Sequence, residues 1–389
     1  MRVAIPIRLI PLAAAAMVAA CASDSTSNRE ITAPGGSVAA QQAASAESEG
    51  AVYTMTNGAA GNAIVAFRRA ADGAITPLGT FATGGAGTGG TVDPLVSQYA
   101  LLLNDSHSLL FAVNAGSNEI TTFRVANDGQ LSRPRVSPSG GVRPTSVAVH
   151  RNLLYVLNAG SNSLQGYRVG ASGELAVLPG ATIGLPAGAA GAAAVRFTPD
   201  GANLVVAERI SNRIDVFAVQ PDGRLGDGVA FASHGGAAFG FDITPSNEVI
   251  VSETVSNAPN GGLSSYALRD GALALVTGSA TTSGAAPCWV LNTRDGHDSY
   301  AVNSASSTIA TFEVHGDGSI AAEGALVSTG TATTPLDPAF STGDRFLYFI
   351  EGRSGDVSGF ATGADGGLTA VTKAHAGAGS SGLQGLAAF

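Results

Sequence analysis

The sequence predicts an all-β fold, a seven-bladed β-propeller of four-stranded antiparallel blades, and three observations carry that expectation. A phrase recurs: Asn114-Ala-Gly-Ser-Asn118-Glu-Ile120-Thr-Thr-Phe123-Arg-Val125 returns as Asn158-Ala-Gly-Ser-Asn162-Ser-Leu164-Gln-Gly-Tyr167-Arg-Val169. Weaker copies start at Asn57, Glu208, Glu253, Asn303 and Glu351, and from Asn114 onward successive anchors stand 44 to 50 residues apart, a period that belongs to propellers and solenoids. Each copy also keeps one internal order of β-rich runs and turns, enough for four strands, and about seven such units describe a propeller.

Within a unit the elements follow from local chemistry. A leading strand, as at 146–149, 194–197 or 289–292, comes after a Pro- or Gly-rich approach. A second strand, as at 109–113, 153–157 or 346–350, is rich in β-branched and aromatic residues and runs up to the anchor. After a turn, an alternating run ends in an aromatic side chain such as Phe123, Tyr167, Phe217, Phe312 or Phe360. Asp128-Gly129, Asp222-Gly223, Asp270-Gly271, Asp317-Gly318 and Asp365-Gly366 come next, where a hairpin must reverse the chain into a fourth strand.

The first unit has no leading strand on its N-terminal side, whereas residues 385–389 match the leading strands of the other units. The C-terminal strand is therefore expected to complete the first blade and seal the ring, which leaves no long unpaired edge. A content of 52 glycines, 13% charged and 45% hydrophobic residues suits many short buried strands joined by tight turns. A single propeller over residues 51–389 is large enough to bury its core without staples.

Residues 1–20 read as a processing segment: Met1-Arg2 and Arg8 supply positive charge ahead of an apolar stretch that ends in Val18-Ala19-Ala20-Cys21. That tetrapeptide resembles the lipobox of bacterial lipoproteins, which implies acylation of Cys21 and an exported, lipid-anchored, periplasm-facing protein. Ala22 after the cysteine favours the outer membrane over the inner, and an ordinary signal peptide cut near Ala22 is the alternative. Residues 21–50 are then a flexible tether of Ala, Ser, Thr, Gln and Glu. With two cysteines in the chain, acylation of Cys21 and a disulfide to Cys288 exclude one another. The net charge of −9 and the lack of any Lys/Arg cluster speak against nucleic acid and against an electrostatic membrane face. The lipid is thus the one expected membrane contact, and a monomer is the expected state.

In a propeller the loop before each innermost strand and the loop after each second strand open on one face. The anchors Asn57, Asn114, Asn158, Glu208, Glu253, Asn303 and Glu351 are therefore expected to ring one mouth of the central channel. Amides and carboxylates there have two readings. One is structural, hydrogen bonding to backbone that cannot join a ladder; the other is functional, with the glutamates as a general base or as oxygen ligands to a hard cation.

Over residues 50–389 the chain resembles the lactonase family of seven-bladed propellers, which includes propeller-type 6-phosphogluconolactonase and carboxymuconate cyclase. The residues that carry the likeness are Phe197-Thr-Pro199-Asp200-Gly201, the run from Leu154 to Asn158, and the Asn/Asp-x-x-x-Asn/Asp-x-Ile/Val turn. The resemblance implies opening or closing of a lactone by acid/base side chains and an arginine at the channel mouth. The family's fourth-blade turn corresponds to Glu208-Arg-Ile-Ser-Asn212-Arg213-Ile214; lactone hydrolysis asks for a base and an oxyanion partner, for which Glu208 or Glu253, its pKa raised by like charges, and Arg213 are the candidates. The family's histidine at the start of an innermost strand is replaced here by Ala192-Ala-Ala194.

Asn114, Asn158, Asn303 and Glu351 are the expected ligand-binding positions, with Trp289 as a stacking surface for a sugar-like ring. The histidines, among them His107 and His297 at hairpin turns, show no metal-ligand spacing, and no metal or cofactor is expected. Two functions remain: hydrolysis of a small cyclic ester or sugar lactone, or a non-catalytic tethered binding scaffold.

Overall fold

The computed structural model describes residues 47–257, 260–377 and 382–389. The signal segment, Cys21 and most of the expected tether lie outside the described residues. Seven four-stranded antiparallel sheets follow one another along the chain. The innermost strands of blades 2 to 7 are Leu101–Leu103, Pro144–His150, Ala192–Phe197, Ala238–Ile243, Pro287–Asn292 and Pro335–Phe340. Blade 1 takes its innermost strand from the C-terminus, where Gln384–Ala388 pairs antiparallel with Gly50–Met55. The expected closure is therefore present.

An ion-paired latch backs this seam. Arg69 is fully buried, its Nε donates to the Phe389 carbonyl oxygen at 2.9 Å and its Nη2 to Ser48 O at 2.7 Å, and Nη1 lies 3.5 Å from Glu47. One guanidinium thus ties together the first described segment, blade 1 and the last residue.

Neighbouring blades are joined by a repeated tyrosine contact that explains the Asp-Gly turns. Tyr53, Tyr155, Tyr300 and Tyr348, all on second strands, donate their hydroxyls to the carbonyls of Gly129, Gly223, Gly366 and Gly73 in the hairpin of the next blade, at 2.8 to 3.1 Å. These glycines hold φ between +68° and +90°, which only glycine adopts readily. Burial of each ring contributes roughly 2–3 kcal/mol, against a net ~1 kcal/mol for the hydroxyl bond. The ring therefore supplies most of the stability, while the hydroxyl fixes which turn it meets.

The channel itself is not open. Residues 93–99, which lead into blade 2, cross it and bond to blade after blade. Ser97 Oγ donates to Thr145 O in blade 3, Gln98 N to Ala193 O in blade 4, Tyr99 OH to Phe241 O in blade 5 and Gln98 Nε2 to Val290 O in blade 6, at 2.7 to 3.0 Å. Ser97 O accepts from Trp289 Nε1 at 3.1 Å and from Gln384 Nε2 at 3.3 Å, and Gln384 reaches on to Asp337 at 2.7 Å. In blades 3 to 7 the pairing register of the innermost strand slips at this level, as between Pro144 and Ser146 or Ala192 and Ala194, and such bulges re-aim backbone groups. Gly240 leaves the room: a Cβ there would stand 2.2 Å from Gln98 Oε1. Asp93, Val96 and Tyr99 hold φ of 48°, 55° and 65°, a costly conformation for such residues that persists because every side is bonded.

Removing one partner of a buried ion pair costs about 3–5 kcal/mol, so Arg69→Met is expected to lower unfolding stability by about 3 kcal/mol in urea titrations. Tyr348→Phe, which strands the Gly73 carbonyl, is expected to cost about 1–2 kcal/mol. A loss under 0.5 kcal/mol for Arg69→Met would show that the seam is held without the latch.

Candidate functional site at the channel mouth

The anchors turn inward rather than toward a mouth. All seven are buried. Asn114 Nδ2 donates to Thr121 Oγ1 and its Oδ1 accepts from Asn62 and Thr83, at 2.8 to 3.0 Å; Asn158 Nδ2 donates to Ser139 O at 3.0 Å. Asn57 Nδ2 reaches Thr88 and Gly89, and Asn303 Nδ2 reaches Thr308. Glu253 accepts from Ser233 Oγ, Gly235 N and Ser279 Oγ at 2.6 to 2.9 Å, and Glu351 from Ser354, Ser358 and Lys373 at 2.6 to 3.0 Å. The linkers arriving from the preceding blade press on the amides: a Cβ on Gly85, Gly141 or Gly284 would come within 2.4 to 2.6 Å of Asn114, Asn158 or Asn303. The structural reading accounts for most of their polar atoms, while Asn158 Oδ1, Glu208 Oε1 and Asn303 Oδ1 are buried without a hydrogen-bond partner among the described residues.

The two nominated carboxylates are similarly enclosed. Glu208 has no exposed surface, accepts from Ala190 N at 3.3 Å and is bonded by Ser211 Oγ. Glu253 is equally buried, so neither carboxylate meets a substrate while the linkers stay in place. Arg213, partly exposed, donates Nη1 to Ala187 O at 2.8 Å. Trp289 is fully buried, edge-on to Phe239 at a 5.3 Å centroid separation, and offers no stacking face; it holds the channel plug instead.

Blade 4 carries a departure from the shared pattern. In blades 2, 5 and 7 the third-strand residue two positions beyond the anchor's pairing partner carries a hydroxyl, Thr121, Ser264 or Ser358; in blade 4 it is Asp215. Burial first, then the hydrogen bond and charge of Glu208, raise Asp215 to about 8, with Arg213 opposing. Two enclosed carboxyl groups cannot both ionise cheaply, so the pair retains a proton through neutral pH.

An accessible cavity lies at the opposite end of the channel, where the innermost strands finish. It holds ≈ 410 Å³, within the usual range for small-molecule sites. Tyr99 forms its floor, and its polar wall includes Arg196, Asp242, Arg294, Asp344 and His107. Arg196 is fixed from two sides: Nε lies 2.8 Å from Asp242 Oδ1, and its guanidinium carbon sits 4.7 Å from the Tyr99 ring centroid, a cation–π geometry. Asp242 Oδ2 also accepts from Asn292 N at 2.9 Å.

Asp344 accepts from the Arg294 amide at 2.5 Å. Burial pushes its carboxyl up to about 6, with the Arg294 amide and guanidinium pulling the other way and the charges of Asp295 and Asp242 adding to the rise. His107, at a hairpin turn, is half-buried and stacks on Phe389 at 5.3 Å. Burial first and then Arg294 lower its pKa, with Asp105 opposing, so the imidazole is neutral at pH 7. A carboxylate poised near neutrality in one cavity with a fixed guanidinium supplies the two kinds of group that deprotonate water and stabilise an oxyanion. Among the described residues no group of three or more His, Cys, Asp or Glu side chains is placed to hold a metal ion.

None of this site's polar residues belongs to the repeated phrase. Arg196 precedes the Phe-Thr-Pro-Asp-Gly turn, and Asp242, Asn292 and Ser341 sit at the corresponding ends of later innermost strands. The signal available in sequence was a charge replacing an apolar residue inside a leading strand, as in Ala194-Val-Arg196-Phe197.

The sequence profile of the family described as "Lactonase, 7-bladed beta-propeller" matches residues 47–183 and, overlapping, 104–258, together more than half of the chain. Among solved structures, a Bacteroides fragilis protein assigned provisionally as a 6-phosphogluconolactonase superposes with a TM-score of 0.70 at 18% identity, over 90% of this chain and 100% of that one. The periplasmic gluconolactonase of Pseudomonas aeruginosa gives 0.65 at 19% identity over 87% and 98%. Virginiamycin B lyase from Staphylococcus aureus gives 0.51 at 13% identity over 72% and 86%. At these identities the superpositions establish the fold. No protein of curated function matches the chain by sequence.

Asp215 binds its proton more tightly folded (about 8) than unfolded (3.8), so its contribution favours the fold below pH 4 and is lost as pH rises toward 8. Replacing it by Asn removes that loss. The melting temperature of Asp215→Asn minus that of the native protein is expected to climb between pH 5 and pH 8 in scanning calorimetry; a constant difference would mean that the pair does not share a proton.

Proposed function

Because this chain belongs to the lactonase family of seven-bladed β-propellers, we propose that it hydrolyses a small uncharged cyclic ester or sugar lactone at the cavity between Arg196 and Asp344. The observation that carries the reading is the presence, in the lining of one cavity, of a guanidinium fixed by Asp242 and Tyr99 and a half-buried carboxyl raised to about 6. Arg196 holds the lactone carbonyl oxygen and takes up the charge that develops on it. Asp344, ionised at neutral pH, accepts the proton of the attacking water, and the ring C–O bond breaks as the tetrahedral intermediate collapses, with the proton passing to the ring oxygen. His107, neutral, is available to hydrogen-bond the ring oxygen.

Charge selects against phosphorylated substrates. Arg196 and Arg294 face Asp242, Asp344 and Asp105, so each arginine is already matched and an anion would meet an excess of carboxylate. The names of two relatives, a gluconolactonase and a provisional 6-phosphogluconolactonase, support a lactone as the substrate class.

In the same reading the protein is exported and anchored through Cys21. Glu47, the first described residue, accepts from Ser341 Oγ at 2.8 Å and from Gly343 N at 2.7 Å. Ser341 lines the cavity, so residue 47 itself lies near the site.

Purified protein assayed on glucono-1,5-lactone and simple γ- and δ-lactones is expected to exceed background hydrolysis, with kcat/KM rising as pH passes through about 6. Arg196→Ala is expected to reduce kcat/KM by about 10²–10³ and Asp344→Asn by about 10²–10⁴, with smaller effects from Glu208→Gln and Arg213→Ala. Rates equal to background for every lactone would replace this function with the binding-scaffold reading. Cys21→Ser is expected to move the protein from the membrane to the soluble fraction; retention in the membrane fraction would reject the anchor.

A further inference from the structure

The cavity proposed for the lactone adjoins two others: through Arg294 and Asp344 it meets a strongly acidic pocket of ≈ 600 Å³ lined by Asp295, Asp298, Glu313 and Glu323, and on its other side it meets a smaller lobe. Tyr99, Leu102, Leu103, Asp105 and Arg196 border both the cavity and this second lobe, which holds ≈ 280 Å³ and extends along blades 3 and 4 to Val149, His150 and Thr198. We propose that this lobe is a subsite for an uncharged polyhydroxy substituent on the lactone, a second sugar ring or a comparable polyol. The inference rests on the lactonase reading for its substrate, but not for its geometry.

Three observations lead to that class of ligand. The first is functional-group content. The guanidinium of Arg196, the carboxylate of Asp105 and the imidazole of His150 converge on a small volume, giving the mixed donors and acceptors that hydroxyl groups require. Beside them His150 and Phe197 form a ring pair with centroids 5.9 Å apart, a surface suited to the apolar face of a pyranose. His150 is held where it is by the Pro-Asp-Gly turn of blade 4, since a Cβ on Gly201 would lie 2.5 Å from its Cδ2 and Nε2.

The second observation is charge. The one guanidinium in the lobe is matched by Asp242 at 2.8 Å, and Asp105 adds a further negative group. A phosphate or carboxylate substituent would find no unpaired cation, whereas a neutral polyol needs none.

The third is shape. Residues 93–99 close the channel beneath the site, so a ligand longer than one ring cannot continue along the propeller axis. Its remaining length can turn sideways, and the second lobe opens there, with Arg196 lining both parts.

The test uses hydrolysis-resistant ligands on the full chain. Dissociation constants are measured by isothermal titration calorimetry for glucono-δ-lactam, with one ring, and cellobiono-δ-lactam, with two. The two-ring lactam is expected to bind at least tenfold more tightly. That ratio is expected to fall to near one in Val149→Trp, which fills the second lobe, and severalfold in His150→Ala, which serves as judge if Val149→Trp does not fold. Equal affinities in the native protein, or a ratio that survives both variants, would overturn the subsite. Two-ring preference without turnover of either parent lactone would uphold the subsite and overturn the lactonase reading, and binding of neither lactam would overturn both.

Discussion

A ring of sheets creates a problem at its own centre: seven innermost strands turn unpaired backbone edges toward an axis where no eighth strand can serve them all. Buried carbonyls and amides without partners cost on the order of 1–3 kcal/mol each, so the axis must be wet or filled. In this protein one end is filled. Residues 93–99 bring Ser97, Gln98 and Tyr99 to carbonyls of blades 3, 4, 5 and 6, and the bulges in blades 3 to 7 bring the strand edges to meet them. Everything else about the site follows from that plug. It makes the remaining cavity blind, provides its floor through Tyr99, and stacks against the arginine.

Closure and plugging share components. Gln384, on the strand that seals blade 1, binds Ser97 of the plug and Asp337 of blade 7, and the residues that follow it form one wall of the cavity. Phe389, whose carbonyl is held by Arg69, stacks on His107. The site is therefore complete only once the last strand has docked, which couples its assembly to the final step of ring formation.

The two faces of the propeller divide their polar residues by task. On the anchor face, amides and carboxylates are consumed by hydrogen bonds to linkers and third strands, which is what repeated positions do when each blade must solve the same packing problem. At the other mouth the polar residues differ from blade to blade: Arg196 in blade 4, Asp242 in blade 5, Asn292 in blade 6, Ser341 and Asp344 after the innermost strand of blade 7. A binding site on a pseudo-symmetric frame must break the symmetry to hold an asymmetric ligand, so the non-repeating residues are where chemistry can be placed. Glu208 beside Asp215 is an intermediate case, a structural position at which blade 4 alone replaces a hydroxyl with a second carboxyl.

The sequence by itself determined the number of blades, the order of strands, the Asp-Gly hairpins and the C-terminal seal, because these follow from local periodicity and turn chemistry. It also exposed the anchors, since repetition is visible without coordinates. Only the tertiary structure decided which mouth is open. The plug contains no repeat, its bonds join residues as far apart as Gln98 and Val290, and no local propensity announces a segment that crosses a channel. Likewise, Arg196 shows in one dimension only as a charge inside a leading strand. It becomes a candidate for catalysis only because folding sets it beside Asp242 from the next blade and over the ring of Tyr99, and distance through space, not along the chain, sets an electrostatic interaction.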